Sequence, residues 1–299
     1  MFEGIYPPIP TPFDDDGRLA LDRLETNIER WNAAVPGLSG YVTLGSNGEA
    51  PHVDGEEALQ LVAAARKAAR PDTQVIAGTG QLSTWATVEA TKRAADAGAD
   101  AVLVVTPYYY KGRMTDAALK RHYFAVADAS PVPVLIYNVP ANTGFNIPVS
   151  VVPELAAHDN IFGIKDSLGD VNQLAEMVRL TQEMKFEVLS GNYGAMLPAM
   201  TFGLTGAILA VANVAPAECV SIYEAARAGR WAEAGALHLR LLPVARAVTT
   251  QYGVPGLKAA LDVLGYFGGM PREPLLPLSD DARDDLAKIL RGTGLLPAP

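Results

Sequence analysis

The 299-residue sequence predicts a closed (β/α)8 barrel, an α/β TIM barrel, with a helical extension at its carboxyl end. Three observations predict it. Short apolar, β-branched runs recur along the chain with helical stretches between them, the mark of βαβ units and a parallel sheet. Counted with a first strand near the amino end they number eight, and no strand-like run leads into a GxGxxG turn, which favours a closed barrel over an open doubly wound sheet. From about residue 225 onward the pattern turns wholly helical. The expected organisation is therefore a barrel over residues 1–224 and a helical extension over 225–299 packed on it.

Taken in order, the strands are read in "GIYPPIPTP", "GYVTLGS", "QVIAGTG", "AVLVVTP", "PVLIYNVP", "IFGIKDS", "FEVLSGN" and "TGAILAVAN". A helix is expected to begin near Asp54. In "STWATVEATKRAADAGAD" Ser83 or Thr84 caps a helix, Trp85, Val88, Thr91 and Ala95 share a face, and Gly98 stops it. After "GIKDS" Asp170 can cap a helix whose stripe is Val171, Leu174, Met177 and Val178. Ser279 caps the last one, "DDARDDLAKILRG".

Composition narrows the function. A formal charge of -9 with no basic stripe argues against a nucleic-acid partner. Apolar runs such as "AVLVVT" are too short to span a bilayer, so no membrane partner is expected. The single cysteine, Cys219, cannot form an intrachain disulfide, and the first twenty residues lack the basic start and apolar core of a signal peptide; a cytoplasmic protein is the expectation. His52, His122, His158 and His238 are too scattered for a spacing-based metal motif, and no metal is expected.

In a barrel of this kind the carboxyl ends of the strands build the active site, and nearly every strand here ends in a polar residue. The sharpest case is Lys165, directly after the apolar run Ile161 to Ile164. Side chains alternate along a strand, so Gly163 and Lys165 share one face while Phe162 and Ile164 share the other. If the bulky face meets the helices, Lys165 points into the barrel mouth, and Tyr137 in "VLIYNVP" does the same. An ammonium drawn into a poorly solvated barrel loses hydration, which favours the free amine and makes it a nucleophile for a carbonyl. Lys165 then forms a Schiff base; the alternatives are a lysine that snorkels to solvent or pairs with Asp166. A phenol at Tyr137 would relay the protons such chemistry requires, or else serve as a core tyrosine bonded to backbone. In "GSNGEA", Gly45 and Gly48 flank Ser46 and Asn47 ahead of a helix, a turn able to cradle a carboxylate or simply to turn the chain. "TPYYYKGRM" carries three tyrosines, more aromatic surface than a loop requires, which fits a subunit contact.

Together "GSNGE", "TPYYYKGRM", "YNVPANTG" and "GIKDS", in this order and spacing, resemble the dihydrodipicolinate synthase and N-acetylneuraminate lyase superfamily of pyruvate-handling class I aldolases. The likeness runs from about Tyr6 to the carboxyl end. It implies that Lys165 is the Schiff-base lysine, that Tyr137 relays protons and that Ser46 and Asn47 bind the substrate carboxylate. It further implies that Tyr109 is lent across a dimer interface, that Gly191 and Ile208 lie beside the bound pyruvoyl unit, and that the assembly is a homotetramer, a dimer of tight dimers. No cofactor is implied, since the covalent imine at Lys165 supplies the electrophile. The nearest likeness is to the 4-hydroxy-2-oxoglutarate aldolase type, which takes a small 2-oxo acid and releases pyruvate and glyoxylate. Synthases of this superfamily typically carry paired threonines where this chain has Ser46 and Asn47, and an arginine for the aldehyde's carboxylate where it has Asn142. Ser167 either meets the distal carboxylate or caps a helix, and Arg113 and Arg272 are further candidates for that contact.

Overall fold

The computed structural model describes residues 2–297. Eight strands form one sheet: β1 (Gly4–Tyr6), β2 (Gly40–Thr43), β3 (Gln74–Gly78), β4 (Ala101–Val105), β5 (Val134–Asn138), β6 (Ile161–Asp166), β7 (Glu187–Ser190) and β8 (Gly206–Ile208). From β2 to β8 each pairs in parallel with the next, and β8 pairs in parallel with β1. Between β1 and β2 the ladder is replaced by a Pro8–Val42 bridge, with Ser39 N donating to Ile5 O and Ile9 N to Val42 O. Proline has no amide to donate, so "YPPIP" closes the seam through carbonyls and the amides around them.

The helices are α1 (Leu21–Ala34), α2 (Gly55–Ala68), α3 (Thr84–Asp96), α4 (Asp116–Ala129), the short α5 (Pro140–Thr143) and α6 (Val152–Ala156), α7 (Val171–Thr181), α8 (Tyr193–Met200) and α9 (Pro216–Arg227). Beyond them lie α10 (Trp231–Arg246), α11 (Gly253–Val263) and α12 (Asp280–Gly292). Helix α9, which follows the last strand, runs across position 225. Capping matches the sequence reading at Ser83, Asp170 and Ser279, and Asp54, near which a helix was expected to begin, also accepts the amides of its helix's first turn. No helix among the described residues is long and apolar enough to cross a membrane.

Two apolar layers hold the barrel. The larger lies between strands and helices, and includes Leu174 and Met177 of the α7 stripe. The smaller fills the barrel itself with Tyr6, Val42, Ile76, Leu103, Leu135 and Leu189. Burial of a side chain of that size is worth about 1.5–3 kcal/mol.

Two local expectations are corrected. Helix α3 buries Thr87, Thr91 and Ala94, while Trp85 is 77% exposed. The threonines can face inward because their hydroxyls have partners, Thr87 Oγ1 donating to Ser83 O and Thr91 meeting Thr79 at 2.9 Å. On β6, Phe162 does not share the helix-facing side with Ile164. Val134 pairs with Ile161 and Leu135 with Gly163, so Phe162 is an extra, unmatched residue. This bulge turns its ring to the inner layer, stacked on Phe2 at 4.0 Å, and from Gly163 onward the alternation resumes.

Candidate active site

Because the bulge lies below Gly163, Tyr137 and Lys165 are register partners at the top of β5 and β6. Both are buried, at 6% and 4% exposure, and Lys165 Nζ sits over the Tyr137 ring, 4.1 Å from its centroid. Among the described residues no carboxylate lies within ion-pair distance of Lys165; Asp166 instead turns away from it. Asp166 accepts from Asn138 Nδ2 at 2.7 Å, from Leu168 N and from Gln173 Nε2. Burial pushes the Asp166 carboxyl above the usual carboxylate range, while those hydrogen bonds oppose the shift. Asn138 and Asp166 are themselves register partners, so this pair ties together the strand ends that present Tyr137 and Lys165.

The turn after β2 reaches the same point. Ser46 Oγ lies 3.2 Å from the Tyr137 hydroxyl and accepts from Asn142 Nδ2 at 3.1 Å. A chain of hydroxyl, phenol and amide therefore spans the ends of β2 and β5, beside the amine of β6. Asn47 is half-buried in the same turn. The turn is bracketed by two non-glycine residues in the left-handed region, Leu44 at φ +56° and Glu49 at φ +52°. Each conformation costs about 1–2 kcal/mol and persists only where surrounding contacts over-determine it. Those contacts include Thr11 Oγ1 donating to Gly48 O at 2.6 Å.

Gly191 follows β7 and lies close against two site side chains. A Cβ would stand 1.8 Å from Ser167 Oγ and 2.9 Å from Lys165 Cε, so its absence makes room for both side chains. Ile208 is buried in the inner layer with Tyr137. The structure thus gathers Lys165, Tyr137, Ser46, Gly191, Ser167 and Ile208 about the barrel mouth. A cleft of about 770 Å³ opens from Ser46, Tyr137 and Asn142 toward Tyr108 and Trp85.

Other predicted residues stand apart. Tyr109 is 71% exposed, packs edge-on to Tyr110 and does not line the cleft. Arg113 is exposed. Arg272 is committed elsewhere: its guanidinium makes a two-pronged pair with Glu57 at 2.6 and 2.7 Å, donates to Gly17 O and His52 O, and covers the Phe13 ring. The only guanidinium lining the cleft among the described residues is Arg93, which is paired with Glu56. Among the described residues no group of three or more His, Cys, Asp and Glu side chains gathers.

Sequence reasoning missed two features. One is the Asn142 to Ser46 bond, which joins two motifs quoted separately. The other is Glu49, the last residue of "GSNGE", whose side chain is fully buried against Lys258. A glutamate on a glycine turn, followed by alanine and proline, was the available signal.

Comparisons with known proteins agree on the whole chain. The model of the dihydrodipicolinate synthetase family matches residues 1–293. A 4-hydroxy-tetrahydrodipicolinate synthase from Methanothrix thermoacetophila is 39% identical over 98% of this chain and 99% of its own. A chloride-inhibited dihydrodipicolinate synthase from Acinetobacter baumannii, solved with pyruvate, superimposes with a TM-score of 0.94 at 32% identity, covering 99% and 100% of the two chains. A monomeric dihydrodipicolinate synthase variant superimposes with a TM-score of 0.93 at 32% identity, covering 99% and 98%.

Proposed function

The chain belongs to the dihydrodipicolinate synthetase family of pyruvate-dependent lyases, and on that premise we propose that it is a class I aldolase cleaving a short 4-hydroxy-2-oxo acid, 4-hydroxy-2-oxoglutarate, to pyruvate and glyoxylate. The Lys165 amine adds to the C2 ketone and water leaves, forming an imine whose carboxylate is held by Ser46 and Asn47. The 4-hydroxyl gives its proton to Tyr137, the electrons of the C3–C4 bond flow into the protonated imine, and the aldehyde departs. The resulting enamine takes a proton at C3, and hydrolysis releases pyruvate and the free amine. Ser46, within reach of the Tyr137 hydroxyl, passes the proton along.

The observation that carries the choice of acceptor is Asn142 bonded to Ser46, where the superfamily's synthases place an arginine. A guanidinium grips a distal carboxylate with two charge-assisted bonds; a neutral, shorter amide already engaged with Ser46 does not. Glyoxylate carries its carboxylate on the aldehyde carbon, closer to Ser167. The comparisons favour a second reading, condensation of pyruvate with aspartate semialdehyde, because the relatives of highest similarity reported above are named for that synthesis. Side-by-side assays separate the two. Under the first reading kcat/KM for cleaving 4-hydroxy-2-oxoglutarate exceeds that for the condensation by at least about tenfold, the lower end of what a lost charge-assisted contact costs. Equal or reversed efficiencies overturn the aldolase assignment and favour the synthase. The exposed Tyr109 fits a phenol lent to a neighbouring chain, and a homotetramer in the cytoplasm is the assembly that accompanies this proposal.

A further inference from the structure

The carboxylate turn is held from behind by a charge pair that the mechanism above does not use. Glu49 follows Ser46, Asn47 and Gly48 directly, and its own backbone is in the left-handed region. The carboxyl-terminal segment makes the two short contacts to its carboxylate: Oε1 lies 2.6 Å from Lys258 Nζ on α11, and Oε2 accepts from Arg272 N at 2.8 Å, with His52 Nδ1 of the same turn farther off at 3.5 Å. Lys258 is 1% exposed at its side chain, donates to Met270 O at 2.7 Å and lies over the Phe13 ring. Arg272 covers the same ring, at 4.0 Å.

A buried ion pair is a poor way to gain stability, since apolar residues of similar volume often serve as well or better. What a pair with two fixed ends supplies is direction. Glu49 is three residues from Ser46, and a turn whose flanking backbone is strained stays in place only while something outside it defines the position. An apolar filler could occupy the volume but could not fix where the carboxylate, and with it the turn, must sit.

We infer that the Glu49–Lys258 pair is a positioning device through which the carboxyl-terminal helices hold the Ser46–Asn47 turn in its substrate-binding shape. This rests on the reading of that turn as the carboxylate site. Both side chains are buried, at 0% and 1% exposure, so they act through the turn.

The test uses the full chain and four proteins: the parent, Glu49→Gln, the double variant Glu49→Gln/Lys258→Met, and Ser46→Ala. Each is measured for Tm, for kcat, and for the pyruvate concentration that gives half-maximal borohydride trapping at a lysine. Glu49→Gln strands a buried ammonium and lowers both Tm and pyruvate binding. The double variant removes both charges and recovers most of the Tm, yet still needs at least about tenfold more pyruvate, the loss of one oriented contact. A double variant with parental half-saturation, beside a weakened Ser46→Ala, overturns the inference and leaves the carboxylate reading intact. Unchanged half-saturation in Ser46→Ala removes the carboxylate reading and the inference with it. Failure of both Glu49 variants to fold at 25 °C assigns the pair to stability alone and also overturns the proposal.

Discussion

Two lysines are buried in this molecule to nearly the same extent, and their surroundings could hardly differ more. Lys258, in the helical extension, has a carboxylate at 2.6 Å and a backbone carbonyl at 2.7 Å. Lys165, at the barrel mouth, has an aromatic face, a phenol and a gap left by Gly191, with no acid in reach among the described residues. Burial alone does not mark a reactive amine. A buried lysine whose charge is answered is scaffold; one whose charge is left unanswered beside an open cleft is available for chemistry.

The largest expected effect breaks the pair of lysines apart. Lys165→Ala abolishes turnover and borohydride trapping of pyruvate, with a fall of at least about 10⁴ in kcat, while thermal unfolding stays close to the parent because no ion pair is broken. Trapping that persists on another lysine, found by mass spectrometry, ends the assignment. Next in size is Tyr137→Phe, which keeps the ring beneath the amine and deletes the hydroxyl that meets Ser46. A loss of about 10² to 10⁴ in kcat is expected, the range for a positioned acid or base. A change of only a few-fold would return Tyr137 to packing.

A third buried base sharpens the contrast by showing what burial does with neither an acid nor a substrate. His122 meets Thr84 Oγ1 at 3.0 Å through Nδ1, and its buried Nε2 has no hydrogen-bond partner. Burial lowers its pKa from 6.5 to about 4. The folded state thus prefers the neutral ring, so stability is complete above pH 6.5 and falls as pH drops toward 4, by at most about 3 kcal/mol. Chemical denaturation of the parent and of His122→Leu across that window should give a difference curve with this sign. A flat difference would mean that the imidazole titrates normally.

Much of the candidate site was legible in sequence because its residues sit at strand ends, where a polar side chain after an apolar run is conspicuous. Lys165, Tyr137 and the Ser46 turn converge as their positions in the alternating pattern require. Phe162 was placed on the wrong face because a bulge breaks the period of two without leaving any mark in composition. Trp85 was read on one face with Val88, Thr91 and Ala95, whereas α3 buries Thr87, Thr91 and Ala94, because the partners that let those threonines turn inward leave no mark in a period of 3.6. Glu49 and Lys258 escaped notice for a different reason. They belong to segments far apart in the chain, and a pair made by tertiary packing has no local signature. Arg272 looked free in sequence and is fully engaged in the fold.

The Phe162 bulge also bears on how this strand tolerates change. The slack residue lies between the bottom of β6 and the half that carries the lysine, and the pairing of Gly163, Ile164 and Lys165 with β5 starts afresh above it. Shortening the strand by that one residue would restore an unbroken ladder without rotating the amine. The upper half is therefore insulated from length variation in the lower half, and the lower half is where an insertion or deletion could be absorbed without moving Lys165 out of the mouth.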